Sequence, residues 1–335
     1  MKKQIPSKTV LNNMSYGFQG RLCEVFPSQI IVDITERCNL ACIHCPHSEF
    51  KNSKNYSGCH LSPELNSKMI EEIRQHGQGR TKYIRYSSNG EPLLHPNAHD
   101  MIREAVSYSG VHVTLTTNGT IMNESATQKL LEADLHSIDI SIDAFHPETY
   151  KKIRLNGNLE ITAKNVLRLI RWVREAKAKT KIVVSFIEQP LNHKEKKDFE
   201  LYWKDMGADY IVIRRMHSCS GAKKNLILPQ KRPLIRRPCL YPWERIVLTA
   251  KGFLAFCPAD WGHQASMIEY SSTSIADCWQ GPFYKKLRTA HLENDFHGFK
   301  FCRQCPDWSA TRWPGEGLSY ADMVETFIES KDFGE

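Results

Sequence analysis

The sequence predicts an α/β fold: a partial (β/α)6, TIM-like barrel followed by a small, cysteine-bearing C-terminal domain. Three observations predict it. Apolar, β-rich runs alternate with amphipathic helical stretches from about residue 28 to 216, the order that builds parallel βαβ units. Six such runs occur, short of a closed eight-stranded barrel, whose chemistry sits where strands end and loops begin. Past residue 238 the alternation stops and a hairpin pattern with its own cysteines takes over.

The six runs are QIIVDIT, KYIRYSS, VHVTLTT, SIDISID, KIVVSFI and DYIVIRR, each rich in β-branched or aromatic residues. Between the first two, SPELNSKMIEEIRQHG reads as a helix. Ser62 is its N-cap, Pro63 fits the first turn, and Leu65, Met69, Ile70 and Ile73 share a face. PNAHDMIREAVSYSG, NESATQKLLEAD and NVLRLIRWVREAKA repeat the helical period. The expected divisions are an N-terminal extension over 1–27, the barrel over 28–221, a linker over 222–238, the cysteine-bearing domain over 239–310 and a C-terminal tail or helix over 311–335. The linker is expected from KKNLILPQKRPLIRR, basic and carrying two prolines. After it, RIVLTAKGFLAFC predicts a hairpin turning at Lys251-Gly252, with Ile246 and Leu248 facing Leu254 and Phe256. SIADCWQGPFYKKLRTAH predicts one helix presenting Ile275, Trp279, Phe283 and Leu287.

At 335 residues the chain can bury a barrel-sized core with an appendage. It contains no run of eighteen apolar residues, so no membrane span is expected. No apolar stretch follows the two N-terminal lysines, so no secretory signal is expected either. Eleven cysteines, an odd number, favour a reducing, cytoplasmic setting and metal ligation over a disulfide framework. The formal charge of +8 suits an anionic partner. The excess is modest and spread out, so a solvated surface is the plainer reading and neither nucleic acid nor membrane is expected as partner.

The segment TERCNLACIHCPHS places Cys38, Cys42 and Cys45 directly after the first strand, on a loop at the barrel's C-terminal face. Three thiolates there suit a metal centre with one corner open. The alternative is a zinc knuckle, which lacks a fourth ligand at normal spacing unless His44 or His47 supplies it. The C-x3-C-x2-C spacing resembles the radical SAM superfamily. That resemblance implies a [4Fe-4S] cluster whose open iron binds S-adenosylmethionine, giving a 5'-deoxyadenosyl radical that abstracts hydrogen. After the second strand, SSNGEP resembles the family's GGEP loop, with Asn89 in place of the first glycine and Gly90, Glu91 and Pro92 matching. The loop's usual role is to bind the SAM amino group. TTNGT and SIDAFHPETYKKIR at the ends of the third and fourth strands are also similar to this family. By that match Ser141 approaches the SAM ribose and Arg154 the SAM carboxylate, while Asn118 and Asp143 point into the cavity. A surface arginine and a helix-capping aspartate are the plainer alternatives for Arg154 and Asp143. His44 stands where an aromatic residue is frequent, and is read as lying beside adenine.

Cys239, Cys257, Cys302 and Cys305 form a second set, C-x12-G-x4-C at the hairpin and then CRQC. It resembles the SPASM/twitch extension of radical SAM enzymes, which implies a second, auxiliary [4Fe-4S] cluster. A structural zinc site would use the same ligands. No cysteine follows Cys305, so one auxiliary cluster is expected, as in twitch-type enzymes that oxidise a secondary alcohol. Cys23, Cys59 and Cys278 fall outside these patterns and read as buried free thiols. Cys219, just past the sixth strand, is placed to give hydrogen to a substrate radical, with a packing role as the alternative.

These readings lead to a radical SAM oxidoreductase of dehydrogenase type. Its substrate is expected to be a hydroxylated or anionic small molecule such as a sugar, nucleotide sugar or aminocyclitol. An external reductant such as flavodoxin or ferredoxin is implied. Asp143, Glu188 and Arg215, at strand ends, are candidates for positioning substrate or carrying its proton. The alternatives are an epimerase using Cys219, a peptide-modifying maturase and a non-enzymatic iron–sulfur electron carrier.

Overall fold

The computed structural model describes residues 25–87, 89–223, 236–310 and 323–326. Cys23, most of the expected linker, and most of the expected N-terminal extension and C-terminal tail therefore lie outside the described residues.

All six expected strands form. They are β1 (Gln29–Val32), β2 (Tyr83–Tyr86), β3 (His112–Thr117), β4 (Ser137–Ser141), β5 (Lys181–Glu188) and β6 (Tyr210–Arg215). Each pairs in parallel with the next. The helix Pro63–Glu72 starts as expected, with the Ser62 side chain accepting from the Leu65 N–H. Asn123 and Asn158 cap the helices Glu124–Glu132 and Leu159–Glu175 in the same way.

The C-terminal unit differs from expectation in two respects. Its hairpin forms, β7 (Arg245–Leu248) against β8 (Phe253–Ala255), with Leu248 opposite Leu254 and Gly252 at φ 78° in the turn. That φ suits glycine and few other residues. But β7 also pairs in parallel with β1, and a further strand, β9 (Ser266–Glu269), follows β8. The result is one nine-stranded sheet in the order β6-β5-β4-β3-β2-β1-β7-β8-β9. Second, the helix expected from Ile275 onwards is two helices, Ile275–Gln280 and Pro282–Glu293. Pro282 lacks the N–H needed to continue the first helix, and starts the second. Ile275, Trp279 and Leu287 are buried, whereas Phe283 faces out at 39% exposure.

The two faces of the sheet have different chemistry. Ile30, Val32, Ile84, Tyr86, Val113, Leu115, Ile138, Ile140, Ile182 and Val184 point into the main core under the helices. On the inner face Ile31, Tyr83, Val247 and Ala255 pack around Val324, and Val183 packs on Met323. Among the described residues no helix is long and apolar enough to cross a membrane.

Candidate active site

Hydrogen bonds lace together the loops at the C-terminal ends of β1, β2 and β3. Gly90 presses on the cysteine loop so closely that a Cβ there would collide with the carbonyl oxygens of Thr35 and Arg37. The Glu91 N–H donates to Arg37 O at 2.8 Å. Asn118 Nδ2 donates to Asn39 Oδ1 at 3.0 Å, and Asn39 Nδ2 to Thr120 Oγ1 at 2.7 Å. Leu155 O and Ile153 O accept from Ala41 and Ile43 on the other side of the cysteine loop.

Glu91 is buried, and its carboxylate accepts from Thr117 Oγ1 at 2.7 Å, Asn118 N at 2.7 Å and Leu93 N at 3.2 Å. Burial raises its pKa against these donors. Pro92, also buried, opens a short 3-10 turn. The Asn89 N–H donates to Asp33 Oδ1 at 3.0 Å. Asn118, expected in the cavity, is instead a brace, since its Oδ1 accepts from Thr120 N and Oγ1.

Asp143 and Arg154 meet each other. Arg154 Nε and Nη2 both donate to Asp143 Oδ2, at 3.0 and 2.5 Å. Asp143 Oδ1 accepts from Ile187 N at 2.7 Å. Both residues are buried, so Asp143 neither lines an open cavity nor caps the helix Pro147–Ile153, whose N-cap is His146. Two of the three guanidinium nitrogens of Arg154 thus serve this chain's own carboxylate. His44 completes the group, with Nε2 3.5 Å from Asp143 Oδ2. Burial pushes its pKa down to about 4, so the ring is neutral at pH 7.

Ser141 ends β4 beside Ser185 of β5. Glu188 pairs with Lys196 at 3.1 Å. Arg215 is exposed, and alternation turns it outwards. Its neighbour Arg214 turns inwards, and no sequence signal had singled it out. Arg214 Nη2 lies 2.6 Å and Arg85 Nη2 3.3 Å from Asp139 Oδ2, while Ser185 Oγ donates to Asp139 Oδ1 and Arg85 Nε to Thr116 Oγ1. Asp139 is fully buried, yet the two guanidinium groups outweigh burial and lower its pKa. The parity of SIDIS, with Ile138 and Ile140 towards the helices, was the available signal for this polar layer.

Asp33, at the end of β1, was also missed. It is 1% exposed, and its Oδ2 has no hydrogen-bond partner. Burial, with nearby Glu36 adding to it, pushes its pKa up to about 8. A small pocket beside it is lined by Asn89, Thr249, Cys257, Asp260 and His263.

The structure brings each set of cysteines together. Burial pushes Cys38 up to about 12, and neighbouring thiols add to burial in raising Cys38 and Cys45. Burial likewise raises Cys257, with Cys239, Cys302 and Cys305 all contributing. Cys302 sits in the helix Lys300–Gln304 and Cys305 ends it. Cys219 Sγ lies 4.0 Å from His44 O, against the first loop. Cys59 and Cys278 are half-buried and lie apart from both sets' sequence patterns. Among the described residues no three His, Cys, Asp or Glu side chains converge on a single ion. Soft sulfur donors gathered in sets of three and four suit the iron of an iron–sulfur cluster.

The chain matches the Radical SAM superfamily profile over residues 32–195 and the SPASM iron–sulfur cluster-binding domain over residues 239–306. The probable GTP 3',8-cyclase of Methanocaldococcus jannaschii is 30% identical over 184 residues, 54% of this chain and 57% of that protein. The chain thus spans about half the length of the curated relatives it matches. Among solved structures, BtrN in complex with AdoMet and 2-DOIA aligns with a TM-score of 0.58 at 18% identity, covering 88% of this chain and 97% of BtrN. Streptococcus suis SuiB bound to its precursor peptide SuiA aligns with a TM-score of 0.64 at 12% identity, covering 96% of this chain and 79% of SuiB. At those identities the likeness is one of fold. The two domains imply [4Fe-4S] clusters, one of them the SAM-binding cluster, and the two cysteine sets fit them. The chain belongs to the radical SAM superfamily, with a SPASM-type iron–sulfur domain on its C-terminal side.

Proposed function

We propose that this enzyme removes hydrogen from a carbinol carbon of a hydroxylated small molecule and oxidises it to a carbonyl. The observation that supports this reading is the second set of four cysteines, gathered in a unit whose strands continue the barrel sheet, where a cluster would be available as an electron acceptor. When bound, the first cluster with S-adenosylmethionine supplies a 5'-deoxyadenosyl radical, and the second cluster accepts one electron. Cys38, Cys42 and Cys45 would hold the first cluster and Cys239, Cys257, Cys302 and Cys305 the second, and net oxidation would take one hydrogen atom, one proton and one electron from the substrate, the proton passing to the protein.

The residues of the chain bind, orient and hold that proton. The Arg85–Asp139–Arg214 layer, with Thr116 and Ser185, offers a polar inner wall suited to hydroxyl or anionic groups. A substrate of the nucleotide or aminocyclitol kind fits that chemistry. Of the residues nominated from sequence, Glu188 is committed to Lys196 and Asp143 to Arg154. Asp33 is our candidate for the proton in its ionised form, which a pKa of about 8 makes the minority at pH 7, so turnover by this route rises as pH passes through 8. An external flavodoxin or ferredoxin would return electrons.

Cys219 favours epimerisation as the second reading. Burial, with the Asp307 carboxylate adding, pushes its pKa up to about 12, so it keeps its hydrogen at pH 7. Turnover in heavy water, with the product weighed, separates the two. Oxidation predicts loss of two hydrogens and activity retained in Cys219→Ala. A gain of one deuterium at unchanged composition, abolished by Cys219→Ala, would overturn the oxidation reading.

A further inference from the structure

The turn Ser218–Gly221, which follows β6, touches both cysteine sites. Its backbone is left-handed at three successive residues, with φ of 50° at Cys219, 56° at Ser220 and 104° at Gly221. For the two non-glycine residues that conformation is strained, so the surroundings must hold it. Asp307, two residues beyond Cys305, does so. Its Oδ1 accepts from the Ser218 N–H at 2.8 Å and the Ser218 hydroxyl at 2.7 Å, and its Oδ2 accepts from the Ser220 N–H at 2.8 Å. Hydrogen bonds to an ionised carboxylate are about twice as strong as neutral ones.

Two side chains leave this clamped turn for different sites. Cys219 Sγ reaches His44 O of the first cysteine loop at 4.0 Å, and Ser220 Oγ lies 3.7 Å from Cys305 Sγ of the second set. With Cys305 as a free thiol, its S–H donates to the serine oxygen. A metal-bound sulfur has lost that proton, so the hydroxyl must rotate and become the donor. A donor to a ligating sulfur offsets the charge gained on reduction, which makes the cluster easier to reduce.

We propose that this turn couples the two sites: Asp307 fixes it, Ser220 donates to the Cys305 sulfur and raises the reduction potential of the cluster held there, and the same fixation aims the Cys219 thiol at the first loop. Asp307 is a positioning residue on this account. The proposal rests on the reading that the second cysteine set carries a cluster.

The test uses the iron-replete holoenzyme, with the two clusters resolved by electron paramagnetic resonance during a redox titration. Ser220→Gly keeps a backbone that tolerates positive φ and removes the hydroxyl. The expected result is full iron content with one midpoint shifted to lower potential and the other unmoved. An unshifted midpoint in that variant overturns the proposal. So does loss of the second cluster from both Ser220→Gly and Ser220→Ala, since the hydroxyl would then be holding the site together rather than tuning it. For the clamp, anaerobic alkylation of Cys219 is followed by peptide mass spectrometry in Asp307→Asn and in the milder Ser218→Ala. Alkylation about tenfold faster in Asp307→Asn, with a smaller rise in Ser218→Ala, is expected as the thiol is released. Wild-type rates in both iron-replete variants overturn the positioning role. A wild-type protein that reconstitutes with only one cluster would overturn the underlying reading as well, and counting iron before any variant is made tells that failure apart.

Discussion

Asp33 combines three properties at one residue: burial, an unpartnered oxygen, and a carboxyl pKa of about 8 instead of 3.8. The folded protein therefore keeps a proton that the unfolded chain releases between about pH 4 and pH 8. Stability from this group is complete below about pH 4, falls as pH rises through that window, and levels off above it. Asp33→Asn is neutral throughout and keeps an acceptor for the Asn89 N–H. Melting temperatures at pH 5 and pH 8 should therefore fall by less in Asp33→Asn than in the wild type; equal falls would mean the carboxyl is already ionised in the folded state. The nearby Glu36 shows the reverse balance. Burial opposes its charge, but the His263 ring 3.4 Å away, hydrogen bonds from Ser57 and the charge of Lys251 hold it down at about 2. Two acids three residues apart thus carry different charges at pH 7.

Among the elements, the lacing of three loops is what makes the first cysteine site. Gly90 has no room for a methyl group against Thr35 O and Arg37 O, and those atoms are backbone, which moves only with the cysteine loop itself. Gly90→Ala should disturb loading of the first set while sparing the second, leaving roughly half of the iron of a protein with two four-iron clusters. Iron analysis beside wild type checks this, and full iron with normal SAM cleavage would show that the contact yields. Much at this scale was legible in the sequence. The strands followed from β-rich runs, the Ser62 cap from its place before Pro63, and the hairpin from Lys251-Gly252 between two apolar runs. Other features were legible and missed. The Gly281-Pro282 pair was in plain view as a helix break. The choice of Arg214 over Arg215 required the parity of β6, which sheet pairing sets and adjacent arginines conceal. The lock between Arg154 and Asp143 had no local sign at all, because it depends on Asp143 adopting φ 64° and turning back on the helix that follows.

For the whole molecule, the informative feature is that β1 has a neighbour on each side. β2 leads to the Asn89–Pro92 loop, and β7 comes from Cys239 and leads on through β8 to Cys257. The strand before the first cysteine loop is therefore also the one on which the second cysteine unit is mounted. Its four residues, Gln29–Val32, are all buried. A shortened protein ending after β6 would keep the full radical SAM signature and yet bare one flank of this strand, with its N–H and C=O groups unpaired and apolar side chains around them. Exposed edges of that kind recruit strands from other chains. Such a truncation should accordingly elute from size exclusion as oligomers or aggregate, whereas the full chain with both iron sites emptied by chelation should not; a monodisperse, monomeric truncation would show that the edge protects itself. In engineering terms, the iron–sulfur unit is no detachable accessory, and a partner domain grafted in its place must bring a parallel strand with it.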